Sequence, residues 1–153
     1  MKAELTLTDA QVKALSTTPI TLIAAPGAGK MIVPIAVVMN LKSWVADYTN
    51  INVSSILRIL YAAGTVEPIV IGSNATSLSV TNLLGFSGNR PSIYGIRSNV
   101  VSSTLRPVSS FAQAEPINTA LQMSINNQGS GDLTGGNAAQ SLIVTVLYEI
   151  VNI

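Results

Sequence analysis

The chain reads as an all-β protein: an antiparallel β-sandwich or jelly-roll-like domain with one short helix near the N-terminus. Three observations predict this. Many short runs rich in β-branched residues are separated by Gly, Pro, Asn and Ser turn signals. Two runs near the C-terminus alternate along the chain with a period of two. No alternation of strands with helices, which a parallel sheet requires, is visible. At 153 residues the chain suits one core. Residues 1–153 are therefore read as a single sandwich domain, with 1–18 as a short helical N-terminal arm.

The helix is predicted by "LTDAQVKAL". Thr8 is the N-cap and Gln11 completes a capping box. Leu7 and Val12 are spaced as a hydrophobic staple, and Asp9 sits where the helix dipole favours an anion. "STTP" ends the helix by about residue 18. Strands are expected at "PITLIAA", "KMIVPIAVVMNLK", "SSILRILYAAG", "EPIVIGS", "TSLSVTNLL" and "PSIYGIR". Pro34 marks an edge position or a bulge, because proline cannot donate to a ladder. The segment 102–118 reads as an extended loop. "ALQMSIN" then alternates strictly, and a turn-rich loop "NQGSGDLTGGNAAQ" leads to a long strand, "SLIVTVLYEIVNI". Both faces of that last strand are mostly apolar, so it is expected to be covered on both, by its own domain or by a neighbouring subunit.

Composition narrows the function. Only 10% of residues are charged, against about 25% in an average soluble domain. Ser, Thr, Asn and Gly take their place, and such a surface loses little solvation when another protein covers it. The net charge of +1 gives no field to gather nucleic acid. There are no cysteines, hence no disulfide or thiolate metal site, and no histidines, hence no imidazole base or triad. The opening residues hold no apolar run of signal-peptide length, and "MIVPIAVVMNL" is too short to span a bilayer as a helix, which needs about 20 residues.

"IAAPGAGKMIVP" imitates a phosphate-binding loop. The Walker pattern needs a glycine where Ala24 stands and a hydroxyl where Met31 stands, and it must open a helix. The segment after Lys30 is instead β-branched and interrupted by a proline. The stretch is therefore read as a tight turn between strands. The acids Glu4, Asp9, Asp47, Glu67, Glu115, Asp132 and Glu149 are scattered, which gives no glycosidase pair in sequence. Asp132 lies in an oxygen-rich loop, but one carboxylate without EF-hand spacing is a poor calcium site. No catalytic residue, metal or cofactor is expected. Contact with a subunit or partner is assigned to Lys30, Trp44, Tyr48, Arg90, Arg97 and Arg106; three arginines with a single aromatic, Tyr94, among them are a weak signal for a nucleic-acid surface.

Two stretches taken together resemble a known group. They are "TPITLIAAPGAGKMIVPIAVVMNL" and "ALQMSINNQGSGDLTGGNAAQSLIVTVLYEIV". Thr18, Pro19, Pro26 to Lys30, Val33 and Pro34, with Leu133 to Gly136 and Val144 to Glu149, resemble the pattern of small bacteriophage virion structural proteins. Residues 45–118 match nothing of that group. The resemblance implies a β-sandwich that decorates a capsid as a cement subunit, or forms part of a tail or fibre, commonly as a homotrimer. The expectation is a non-enzymatic virion protein, assembled in the host cytoplasm, binding the major capsid protein or other virion proteins, with neither membrane nor nucleic acid as partner. The alternative is a fibre or receptor-binding domain for cell-surface glycan, using Trp44, Tyr48, Tyr61 and Tyr94.

Overall fold

A computed structural model describes residues 1–43, 45–52, 54–62, 69–71, 91–95 and 117–153. Its described elements are β1 (Lys2–Thr8), α1 (Asp9–Lys13), a 3-10 turn (Ala14–Ser16), β2 (Ile20–Ile23), β3 (Lys30–Lys42) and β4 (Tyr48–Thr49). Then come β5 (Ile56–Tyr61), β6 (Ile69–Ile71), β7 (Pro91–Gly95), β8 (Leu121–Asn126), β9 (Thr134–Gly135) and β10 (Ser141–Asn152).

The eight principal strands form two four-stranded antiparallel sheets, ordered β1-β10-β3-β7 and β2-β8-β5-β6. Successive strands cross from one sheet to the other, except for the β5–β6 hairpin. This strand order is that of a jelly roll, two Greek keys folded together. A two-stranded ribbon, β4 with β9, closes one end.

The sheets share one core. Leu7, Ile32, Val37, Met39, Leu142, Val144 and Val146 of the first sheet meet Leu57, Ile59, Leu121, Met123 and Ile125 of the second. These positions follow the period of two read from the sequence, most clearly in β8 and in β10 as far as Tyr148. A polar tie crosses the core: the buried Tyr61 hydroxyl donates to the Ile32 carbonyl.

The N-terminus departs from expectation. Residues 1–18 are not a helical arm, because Lys2–Thr8 is a strand paired along its whole length with β10. Ala3, Leu5 and Leu7 alternate with Lys2, Glu4 and Thr6, a period-two pattern that the strong cap signal at Thr8 overshadowed. The cap itself forms as expected. Thr8 Oγ1 accepts from the Gln11 N–H (3.3 Å), and Gln11 Oε1 accepts from the Thr8 N–H (2.9 Å). Leu7 and Val12 are both buried in the core, as a staple requires.

Pro34 lies at a bulge, one of the two alternatives. Leu147 pairs with Ala36 and Tyr148 with Pro34, so Ile35 is an extra residue on β3, just before the stretch Ala36–Asn40 that pairs with β7. Across it the alternation changes phase: Ile32 and Pro34 are buried before it, Val37, Met39 and Leu41 after it, while Met31 at the start of the strand is buried outside the shared core. The "TSLSVTNLL" strand and the 102–116 part of the expected loop lie outside the described residues.

Candidate functional site

The phosphate-loop imitation is a turn. The Lys30 N–H donates to the Gly27 carbonyl (3.2 Å), and β3 begins at once as a 13-residue strand. Gly27 has φ 102°, a conformation other residues resist. Asn118 holds the turn from the side, its Oδ1 accepting from the Gly27 N–H (3.0 Å) and its own N–H donating to the Lys30 carbonyl (2.8 Å). With no helix behind it, the turn lacks the row of free amides that cradles phosphate. Lys30 is exposed at its end.

Of the residues assigned to partner contact, Tyr48 is corrected: it is 3% exposed and offers nothing to a partner. Its position on the ribbon turns the ring under the N-terminal helix, where burial outweighs its polar tip. Trp44, Arg90, Arg97 and Arg106 lie outside the described residues. Tyr61, a candidate for glycan stacking, is buried with its hydroxyl engaged; of Tyr94 only the backbone is described.

The cluster that the structure assembles around Tyr48 was not legible in sequence. Asp9 from α1, Tyr48 from β4 and Gln140 from the turn before β10 meet beneath Gly136. Lys13 Nζ holds Asp9 Oδ2 at 2.6 Å. Gln140 Oε1 accepts from the N–H groups of Val45 and Ala46 (both 3.3 Å). That leaves Asp9 Oδ1, the Tyr48 hydroxyl and Gln140 Nε2, all buried, without a well-formed hydrogen bond. The three still act on one another. Burial pushes the Tyr48 phenol up to about 12; Gln140 opposes the shift and the Asp9 carboxylate adds to it. Gly136 makes the approach possible. A Cβ there would lie 2.3 Å from Asp9 Oδ1 and 2.6 Å from Tyr48 Cε1, and its φ is +65°. The second glycine of "LTGG" is thus a packing requirement.

The neighbouring loop is a hydrogen-bonded clamp. Asn127, 2% exposed, accepts at Oδ1 from the Asn52 N–H (3.0 Å) and the Ser55 hydroxyl, and donates through Nδ2 to the carbonyls of Asn50 and Gly131 (both 2.8 Å). Asn50 donates in turn to the carbonyls of Ser130 and Asp132. Asp132 accepts from the Thr17 hydroxyl (2.9 Å). The loop's side-chain oxygens thus serve donors of the chain itself, and among the described residues no three acidic side chains gather to hold a metal.

The remaining candidate is a surface. The outward face of the first sheet carries Ile143, Thr145 and Leu147 of β10 beside Asn40, Val38 and Ala36 of β3. Among the described residues the expected double cover on β10 is incomplete: Ile143 and Thr145 are half-buried and Leu147 is 41% exposed. The β1 side is a polar rim. Lys2 pairs with Glu4 at 2.9 Å, and Glu4 Oε2 accepts from the Thr145 hydroxyl (3.1 Å). The Lys2 ammonium, with the Thr145 hydroxyl, holds the Glu4 carboxyl below its ordinary value. No helix among the described residues is long and apolar enough to cross a membrane.

No protein-family model matches the chain, and no curated protein matches it in sequence.

Proposed function

We propose that the protein is a non-enzymatic virion structural protein, a capsid decoration (cement) protein that binds major capsid subunits and stabilises the head. The observation that carries this reading is the outward face of the first sheet: apolar at its centre, polar at its β1 rim, with one ion pair on that rim. A charge-poor face of this kind suits lasting contact with another protein. Jelly rolls recur in viral capsid domains, but also in lectins and cupins, so the fold alone decides little. The resemblance of both chain ends to small phage virion proteins favours the capsid, and a place on the virion as a homo-oligomer goes with it. The glycan-binding alternative loses support, since Tyr48 and Tyr61 are both buried.

The test is cosedimentation of the purified chain with expanded, undecorated phage capsids, run beside binding to bacterial cells. Capsid binding is expected, and it should survive molar salt, because screening removes little from an interface with few charges. Leu147→Glu, on the outward face, should abolish it while the fold remains. Binding to cells alone, or capsid binding lost in moderate salt, would overturn the reading.

A further inference from the structure

Asp9, Tyr48 and Gln140 meet in the interior with one hydrogen-bonding group each left over: Asp9 Oδ1, the Tyr48 hydroxyl and Gln140 Nε2. Asp9 is 8%, Tyr48 3% and Gln140 1% exposed, so bulk solvent does not supply the missing bonds. Burial is the largest influence on the Tyr48 phenol, and Gln140 and Asp9 follow it, so both side chains lie beside the hydroxyl. A buried polar group without a hydrogen bond is costly, and three in one place call for a shared partner.

Each side chain is held from its other end, which keeps it from swinging over to satisfy a neighbour. Lys13 Nζ holds Asp9 Oδ2 at 2.6 Å. Gln140 Oε1 is taken by the N–H groups of Val45 and Ala46, which leaves Nε2 as the end turned to Tyr48. Tyr48 is fixed by the pairing of β4 with β9, and its ring edge lies so close to Gly136 that a Cβ there would come within 2.6 Å of Cε1. The groups left over also select their ligand. A carboxylate oxygen only accepts, an amide nitrogen only donates, and a hydroxyl does either. A cation would face the Gln140 N–H groups and the Lys13 ammonium, and an anion would face the Asp9 carboxylate. A water molecule can donate to Asp9 Oδ1, accept from Gln140 Nε2 and share a third bond with the Tyr48 hydroxyl. About three bonds is the usual number for an internal water.

We propose that this cluster is the site of one internal water molecule, bonded to Asp9 Oδ1, the Tyr48 hydroxyl and Gln140 Nε2, at the joint between α1, β4 and the turn before β10. The water then belongs to the fold. It continues the Lys13–Asp9 ion pair into the ribbon as a chain of hydrogen bonds and so fastens the N-terminal helix. The site does not depend on which partner the outward sheet face binds.

A crystal structure of the purified chain, at a resolution that shows ordered water, tests it. One density peak of water strength is expected within about 2.7–3.2 Å of all three atoms. Oxygen-17 relaxation dispersion in solution should show a matching long-lived water. Tyr48→Phe keeps the ring and removes the hydroxyl, so the water loses one of its bonds. Its residence time should then fall about tenfold, as loss of one hydrogen bond predicts, or the peak should vanish. A wild-type map in which the three groups bond to one another directly, or in which a metal ion sits among them, would overturn the proposal. So would a folded Tyr48→Phe chain whose water peak and dispersion are unchanged.

Discussion

Single residues carry more of this fold than their chemistry suggests, and Gly136 is the clearest case. A methyl group there meets a carboxylate oxygen and an aromatic ring well inside contact distance, on a backbone that side chains avoid. Gly136→Ala is expected to destabilise by about 2–4 kcal/mol, the range of severe single changes. Gly129→Ala, at φ +82° with open space around it, should cost only about 1 kcal/mol of backbone strain. Urea unfolding of the two variants checks the difference, and equal losses would refute the packing role. The tyrosines offer a second prediction. Burial raises the phenols of Tyr48 and Tyr61 from 10.0 to about 12. Each folded-state pKa lies above its unfolded value, so the stabilisation is complete below pH 10 and is lost as pH rises toward 12. Melting temperature should fall across that window, and tyrosinate absorbance should lag behind that of a denatured chain. A flat melting temperature from pH 9 to 12 would contradict the burial argument.

At the scale of elements, one side chain ties two loops together. Asn127→Ala removes four hydrogen bonds and strands buried partners, so a loss of about 2–4 kcal/mol is expected. Limited proteolysis should then cut within 127–133 sooner than in the wild type; unchanged cleavage would mean the clamp is redundant. The legibility of the elements divides in the same way between local and distant causes. The capping box at Thr8 and the alternation in β8 and β10 are local patterns, and sequence carried them. "SSILRILYAAG" forms the expected strand over Ile56–Tyr61, held by its pairing with β8. The strand β1 was visible as alternation but lost to a stronger neighbouring signal. The meeting of Asp9, Tyr48, Gly136 and Gln140 had no signal at all, since positions 9, 48, 136 and 140 come together only when the ribbon closes on the helix. For the same reason Tyr48 read as a surface aromatic: propensity and spacing do not say which way a short ribbon turns its rings.

For the whole molecule, the jelly-roll order places the two most recognisable stretches of sequence at different ends of the described structure. The "PGAGK" turn lies beside the end of β10, and "LTGG" lies under the helix near its start. Between them runs the charge-poor outward sheet face on which the proposed capsid contact rests. The bulge at Ile35 has a consequence for how relatives of this chain should be compared. β3 is written in two phases: Ile32 and Pro34 face inward before residue 35, and the odd positions Val37, Met39 and Leu41 do after it. A homologue lacking that one residue could not keep both halves in phase. It would have to turn either the stretch leading out of the glycine turn or the stretch leading into the helix-side ribbon inside out. An alignment that places a gap elsewhere in β3 will therefore match interior positions to exterior ones, and conserved hydrophobic positions will look scrambled where the fold is in fact the same.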